Sequence, residues 1–91
     1  MNLAELYVII CDRRDHAIPE SYTSQLLAQG EDEILKKIGE EAVEVILAAK
    51  AQGDRRVIEE ISDLLYHLLV LLSARGLTIE QIEVELGSRH R

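Results

Sequence analysis

Two long segments of helical periodicity are separated by a single glycine, and this restricts the chain more than any other feature. The first segment runs from Glu31 to Gln52 and the second from Asp54 to Arg75. Gly53, between them, is the residue type that accepts a left-handed stop. A link this short forces the two helices to lie antiparallel as neighbours. They share a face, so the side chains each presents there meet.

The remaining segments follow the same grammar. Glu31 and Asp32 open the first long helix, where acids suit the positive end of the helix dipole. Asp54 is placed to cap the second, and Gly76 stops it. Thr78 and Gln81 have capping-box spacing. They start a helix that carries Ile79, Ile82 and Leu86 and frays in "GSRHR". Upstream, Leu3, Leu6, Tyr7 and Ile10 recur at i, i+3, i+4, i+7. A break at Pro19 leads into a short helix from Pro19 to Gln29, with proline in its first turn. No strand, repeat or linker is legible. The expectation is one all-α domain over residues 1–91, a bundle of about five helices.

With three Tyr and no Phe or Trp among 91 residues, the core must be built from Leu, Ile, Val and Ala. A chain this short buries a limited share of its surface. Yet the second half of the second long helix is apolar nearly all round, and Val43 with Leu47 gives the first a second apolar strip. One layer of helices cannot cover all of this, so a homodimer that completes the bundle is expected. The net charge of -7 argues against nucleic acid and against anionic membrane surfaces as partners. No apolar run reaches the ~18 residues of a membrane span. The start "MNLAELYVIICDRRD" lacks the basic opening of a signal peptide. Cys11 has no second cysteine to pair with inside the chain. A cytoplasmic location is expected.

The acids stand where burial is expected. With Glu41 at zero on a wheel of ~100° per residue, Ile34, Val45, Ile38, Ala49, Ala42, Leu35 and Ile46 fill an arc from about 20° to 140°. Glu41 borders it, and Glu44, Lys37 and Glu40 follow on the other side. On the second helix, Glu60, His67, Glu59 and Tyr66 lie within about 60° of Asp63. Antiparallel packing can bring Glu41, Glu44, Glu60 and Asp63 together. Four like charges in a half-buried place must protonate, pair with Lys or Arg, or bind a cation. Oxygen-only ligands select hard ions such as Mg2+ or Mn2+. The plain alternative is that the acids are solvated and the chain is a non-enzymatic helical dimerisation module. A di-iron site needs Glu-x-x-His on two helices, and no histidine here has a glutamate three residues before it. Zinc lacks a Cys/His ligand set.

E-x-x-E (Glu41, Glu44) followed by E-x-x-D (Glu60, Asp63) resembles the all-α nucleoside triphosphate pyrophosphohydrolases of the MazG type. "SYTSQLLAQGEDEILKKIGEEAVEVILAAK", then "EEISDLLYHLLVLLSARGLT" and the basic end "SRHR", resembles more narrowly the phosphoribosyl-ATP pyrophosphohydrolase family of histidine biosynthesis. The likeness covers residues 21 to 91, in the stand-alone form. It implies Mg2+-dependent hydrolysis of the α–β phosphoanhydride of phosphoribosyl-ATP, with Mn2+ as a substitute. A house-cleaning triphosphate pyrophosphatase of the same superfamily would share fold and acids.

Carried over residue by residue, Glu41, Glu44, Glu60 and Asp63 match the metal-binding acids, and Glu41 or Glu44 would take a proton from water. Glu40 matches a neighbouring acid that supports the site or orients water. Lys37 is placed to meet a phosphate oxygen or to pair with Glu41 four residues on. Ser21, Tyr22 and Thr23 match a segment near the substrate, although first-turn capping is the better fit for Ser21. Tyr66 and His67 continue the polar stripe from Asp63, although a lone histidine on a mostly apolar helix is more often a satisfied core residue. Arg75 offers positive charge to the phosphoribosyl end, and Arg89, His90 and Arg91 at the tail would do so only where a partner subunit orders them.

Overall fold

The computed structural model describes residues 1–90, so the expectation for Arg91 lies outside the described residues. Five helices appear in the order α1 (Leu3–Asp15), α2 (Tyr22–Gln29), α3 (Glu31–Ala51), α4 (Asp54–Ala74) and α5 (Ile79–Arg89). There is no strand among the described residues.

The α3–α4 hairpin turns at Gly53, whose φ of +85° suits glycine and strains other residues. At the far end of α4, Gly76 adopts φ +67°. The Leu77 amide there donates to the Leu72 carbonyl at 3.0 Å and the Gly76 amide to that of Ser73 at 3.1 Å. This pair of bonds satisfies the last carbonyls of α4. The capping box of α5 is present, with Thr78 accepting from the Gln81 amide and Gln81 answering on the Thr78 amide.

Three boundaries differ from the sequence expectation. The second helix starts at Tyr22 rather than Pro19, because Ser21 caps it by accepting from the Ser24 amide. Asp54 is the first residue of α4 and not its cap; Gly53 holds the cap position without a side-chain bond. The last helix continues through Gly87 to Arg89, where Arg89 pairs with Glu85 one turn earlier at 2.8 Å.

Ile10, Leu26, Ile34, Leu69 and Val70 form the core, contributed by α1 to α4. Tyr7 ties α1 to the α4–α5 turn by donating its hydroxyl to the Leu77 carbonyl. Burial is the leading reason its phenol is pushed up to about 12. Arg14 joins α1 to the last turn of α4, donating to the Ser73 carbonyl at 2.8 Å.

The covered face of α3 runs through Ile34, Ile38, Glu41, Val45 and Ala48, so Glu41 sits at its centre and not at its border. Leu35, Ile46 and Ala49, which the wheel assigned to the core arc, are exposed. α1 and α2 pack toward the other side of the hairpin, and those three stay exposed among the described residues. The radius of gyration is 14.2 Å, against about 12 Å for a compact chain of this length. One chain is therefore an open arrangement built on a hairpin.

Candidate active site

With Gly53 as the pivot, antiparallel packing sets Glu41 of α3 level with the turn of α4 that carries Glu60 and Asp63. These three carboxylates each offer an oxygen within 4.8 Å of the others. Glu60 is buried at 6% exposure, Glu41 is half-buried, and Asp63 opens to solvent. The three thus line a gradient from the hairpin interior to its surface.

Oε2 of Glu41 is buried and has no hydrogen-bond partner. Such an acceptor costs ~1–3 kcal/mol unless something meets it. Burial, then the charge of Asp63 and the neighbouring Glu60, push the Glu41 carboxyl above the ordinary glutamate value. An orphaned carboxylate oxygen beside two more carboxylates is a donor set suited to a hard divalent cation. The residues present therefore fit Mg2+ or Mn2+.

Glu44 lies one turn from Glu41 toward the loop. It is half-buried and stands outside the group of three. Glu40 is exposed and pairs with Lys37 at 3.6 Å. The Lys37–Glu41 pairing offered by the sequence is replaced by this shorter-range one, which leaves Glu41 without a cation.

Beside the acids, α2 delivers an aromatic wall. Tyr22 lies at hydrogen-bond distance from His67 Nε2, at 3.2 Å. His67 Nδ1 donates to the Asp63 carbonyl at 2.8 Å, so the nitrogen left to accept from the Tyr22 hydroxyl is Nε2. Thr23 and Tyr66 join hydroxyl to hydroxyl. Tyr66 and His67 meet edge to face, with centroids 4.9 Å apart. Burial raises the Tyr66 phenol first, and Thr23 lowers it. His67 is a buried histidine with both ring nitrogens engaged, and its Nδ1 partner is the backbone of Asp63. Ser21 takes its capping role.

Arg75 does not join this cluster within one chain. It caps α4 at the opposite end, roughly 18 Å along the helix from Asp63, and pairs with Glu31 at 3.5 Å. Arg89 and His90 close α5 and are exposed.

One residue at the site escaped the sequence reading. Arg56 reaches forward along α4 to both Glu59 and Glu60, with 2.6 Å to the latter. Its spacing of i+4 to Glu60 was the available signal.

An all-α fold whose central hairpin gathers Glu41, Glu60 and Asp63 from the E-x-x-E and E-x-x-D segments fits the MazG-type class of phosphoanhydride hydrolases. Comparison with known proteins narrows this class. The family model described as "Phosphoribosyl-ATP pyrophosphohydrolase" matches residues 3–90, and the chain belongs to that family. "Phosphoribosyl-ATP pyrophosphatase" of Pelotomaculum thermopropionicum is 51% identical over 89 residues, which span 98% of this chain and 91% of that protein. The protein of the same name from Lactiplantibacillus plantarum is 50% identical over 88 residues, 97% of this chain and 83% of its own. The "Histidine biosynthesis bifunctional protein HisIE" of Oceanobacillus iheyensis is 51% identical over 81 residues. That match spans 89% of this chain and 38% of the bifunctional protein's length.

Proposed function

We propose that this chain hydrolyses the α–β phosphoanhydride of phosphoribosyl-ATP to phosphoribosyl-AMP and pyrophosphate, the second step of histidine biosynthesis. Family membership supports the substrate. The observation that carries the chemistry is the orphaned Glu41 oxygen facing Glu60 and Asp63. Glu41, Glu60 and Asp63 would hold Mg2+, with Glu44 as a fourth acid one turn away. When bound, the ion supplies positive charge for phosphate oxygens and lowers the pKa of water.

The chain's own residues do the rest. Glu44, outside the three-acid group, would receive the proton of the attacking water. Lys37, which pairs with Glu40 at 3.6 Å, would offer its ammonium to a phosphate oxygen once the substrate is bound. Tyr22, Thr23, Tyr66 and His67 form a fixed wall against which a nucleotide can be held. The hydrogen bonds from Tyr22 to His67 and from His67 to the Asp63 carbonyl set that wall in register with the acids.

A second copy of the chain completes the bundle in this reading. Ile58, Ile61, Leu65 and Leu68 form one exposed stripe on α4, and Leu35, Val43, Ile46 and Leu47 lie exposed on α3. An apolar groove of about 660 Å³, walled by Leu65, Leu68, Leu72, Leu77 and Ile82 with Arg75 at its edge, continues the α4 stripe. No helix is long and apolar enough to cross a membrane among the described residues. A cytoplasmic location accords with this biosynthetic role.

The site assignment is tested by Glu44→Gln and Asp63→Asn, assayed with Mg2+ and checked by circular dichroism. Each loses about 100-fold or more in turnover with helical content intact. Full activity in both overturns the assignment.

A further inference from the structure

We propose that Arg56 is the counter-ion of the metal-free site, and that a divalent cation binds by displacing it from Glu60. The inference rests on the metal reading above and concerns what holds the site before the ion arrives.

Glu60 is the most buried of the three acids, at 6% exposure. A buried carboxylate without a partner is strongly unfavourable. Among the three, Glu60 alone is paired with a cation: Arg56 Nη2 donates to Glu60 Oε1 at 2.6 Å. Glu41 Oε2 has no partner, and Lys37 is engaged by Glu40. The guanidinium is thus the one positive group on the acid cluster among the described residues.

Its other edge is already held elsewhere. Arg56 Nη1 donates to Glu59, which also accepts from Arg55 at 3.2 Å. Arg56 is itself 45% exposed on its side chain. It can leave Glu60, remain bound to Glu59 and stay hydrated. A divalent cation and a guanidinium that both claim the Glu60 carboxylate repel each other. The ion therefore binds more weakly than it would to bare carboxylates, and the metal-free chain is more stable than it would be without the arginine. The two effects have opposite signs. An arginine that merely oriented Glu60 for the metal would give them the same sign.

The test uses the full chain with Mn2+ as probe, in wild type, Arg56→Gln and Arg55→Gln. Calorimetric titration gives Mn2+ affinity, and thermal melts in chelator give metal-free stability. Arg56→Gln is expected to melt several degrees lower without metal and to bind Mn2+ about tenfold more tightly, the size of a partly exposed charged hydrogen bond. Arg55→Gln, which removes a nearby charge without touching Glu60, is expected to change neither. If Arg56→Gln folds only when Mn2+ is added, the counter-ion role stands, and Arg56→Lys then supplies the affinity comparison with a smaller gain. Wild type that binds Mn2+ with Arg56→Gln equal or weaker overturns this proposal and leaves the metal reading intact. Wild type that binds no Mn2+ overturns both.

Discussion

Glu41 on α3 and Glu60 on α4 present carboxylate oxygens within 4.8 Å of each other, and the buried oxygen of Glu41 has no hydrogen-bond partner. Two acids this close across a helix hairpin are destabilising unless a proton or a cation separates them.

That relationship sets a pH dependence. The Glu41 carboxyl is raised above its unfolded value, first by burial and then by Asp63. The folded chain therefore holds this proton more readily than the unfolded chain. The stability it contributes is complete below the unfolded value and is lost as pH rises through the folded one. In chelator, wild type should lose stability relative to Glu41→Gln across that interval, and Glu41→Gln should melt a few degrees higher at pH 8. Melts at a series of pH values check this. A wild type that gains on Glu41→Gln as pH rises contradicts it.

Metal reverses the ranking. Ligands that bind only the native state stabilise it by about 2.7 kcal/mol at a hundredfold excess over Kd. Saturating Mn2+ should raise the melting temperature of wild type and leave Glu41→Gln, Glu60→Gln and Asp63→Asn nearly unmoved. Equal shifts in all four proteins would place the ion elsewhere.

His67 joins two elements, with the Asp63 carbonyl on one ring nitrogen and the Tyr22 hydroxyl on the other. His67→Leu keeps the bulk and removes both bonds. It should cost ~1–3 kcal/mol in urea unfolding. Tyr22→Phe, which breaks one bond at a half-exposed ring, should cost less than ~1.5 kcal/mol. The reverse order would mean that Tyr22, rather than His67, holds the wall.

The antiparallel hairpin was legible because Gly53 leaves its two helices no other arrangement. The convergence of Glu41, Glu60 and Asp63 follows from it. What stayed hidden depends on tertiary covering. The wheel put Glu41 at the edge of a core arc that included Leu35 and Ile46. In the fold, α1 and α2 cover the other side, so Glu41 is central and Leu35 and Ile46 are left bare. Periodicity reports an apolar face without saying which chain covers it. The start of α2 was displaced for a local reason: Ser21 outcompetes Pro19 by capping the Ser24 amide. Arg56 was passed over because a single i,i+4 pair on a helix is common at any surface.

The bare stripe makes its own prediction. Ile61→Glu or Ile46→Glu places a charge where a second copy would pack. Each should convert a dimer in sedimentation velocity to a monomer of lowered melting temperature. Wild type that sediments as a monomer at all concentrations contradicts the completed bundle.

The central claim is tested most directly by pyrophosphate release from phosphoribosyl-ATP, with Mg2+ and with chelator, beside a panel of canonical and noncanonical nucleoside triphosphates. Mg2+-dependent release from phosphoribosyl-ATP, abolished by chelator, is expected, with little release from the panel. Release mainly from the panel, or none from phosphoribosyl-ATP, would contradict it.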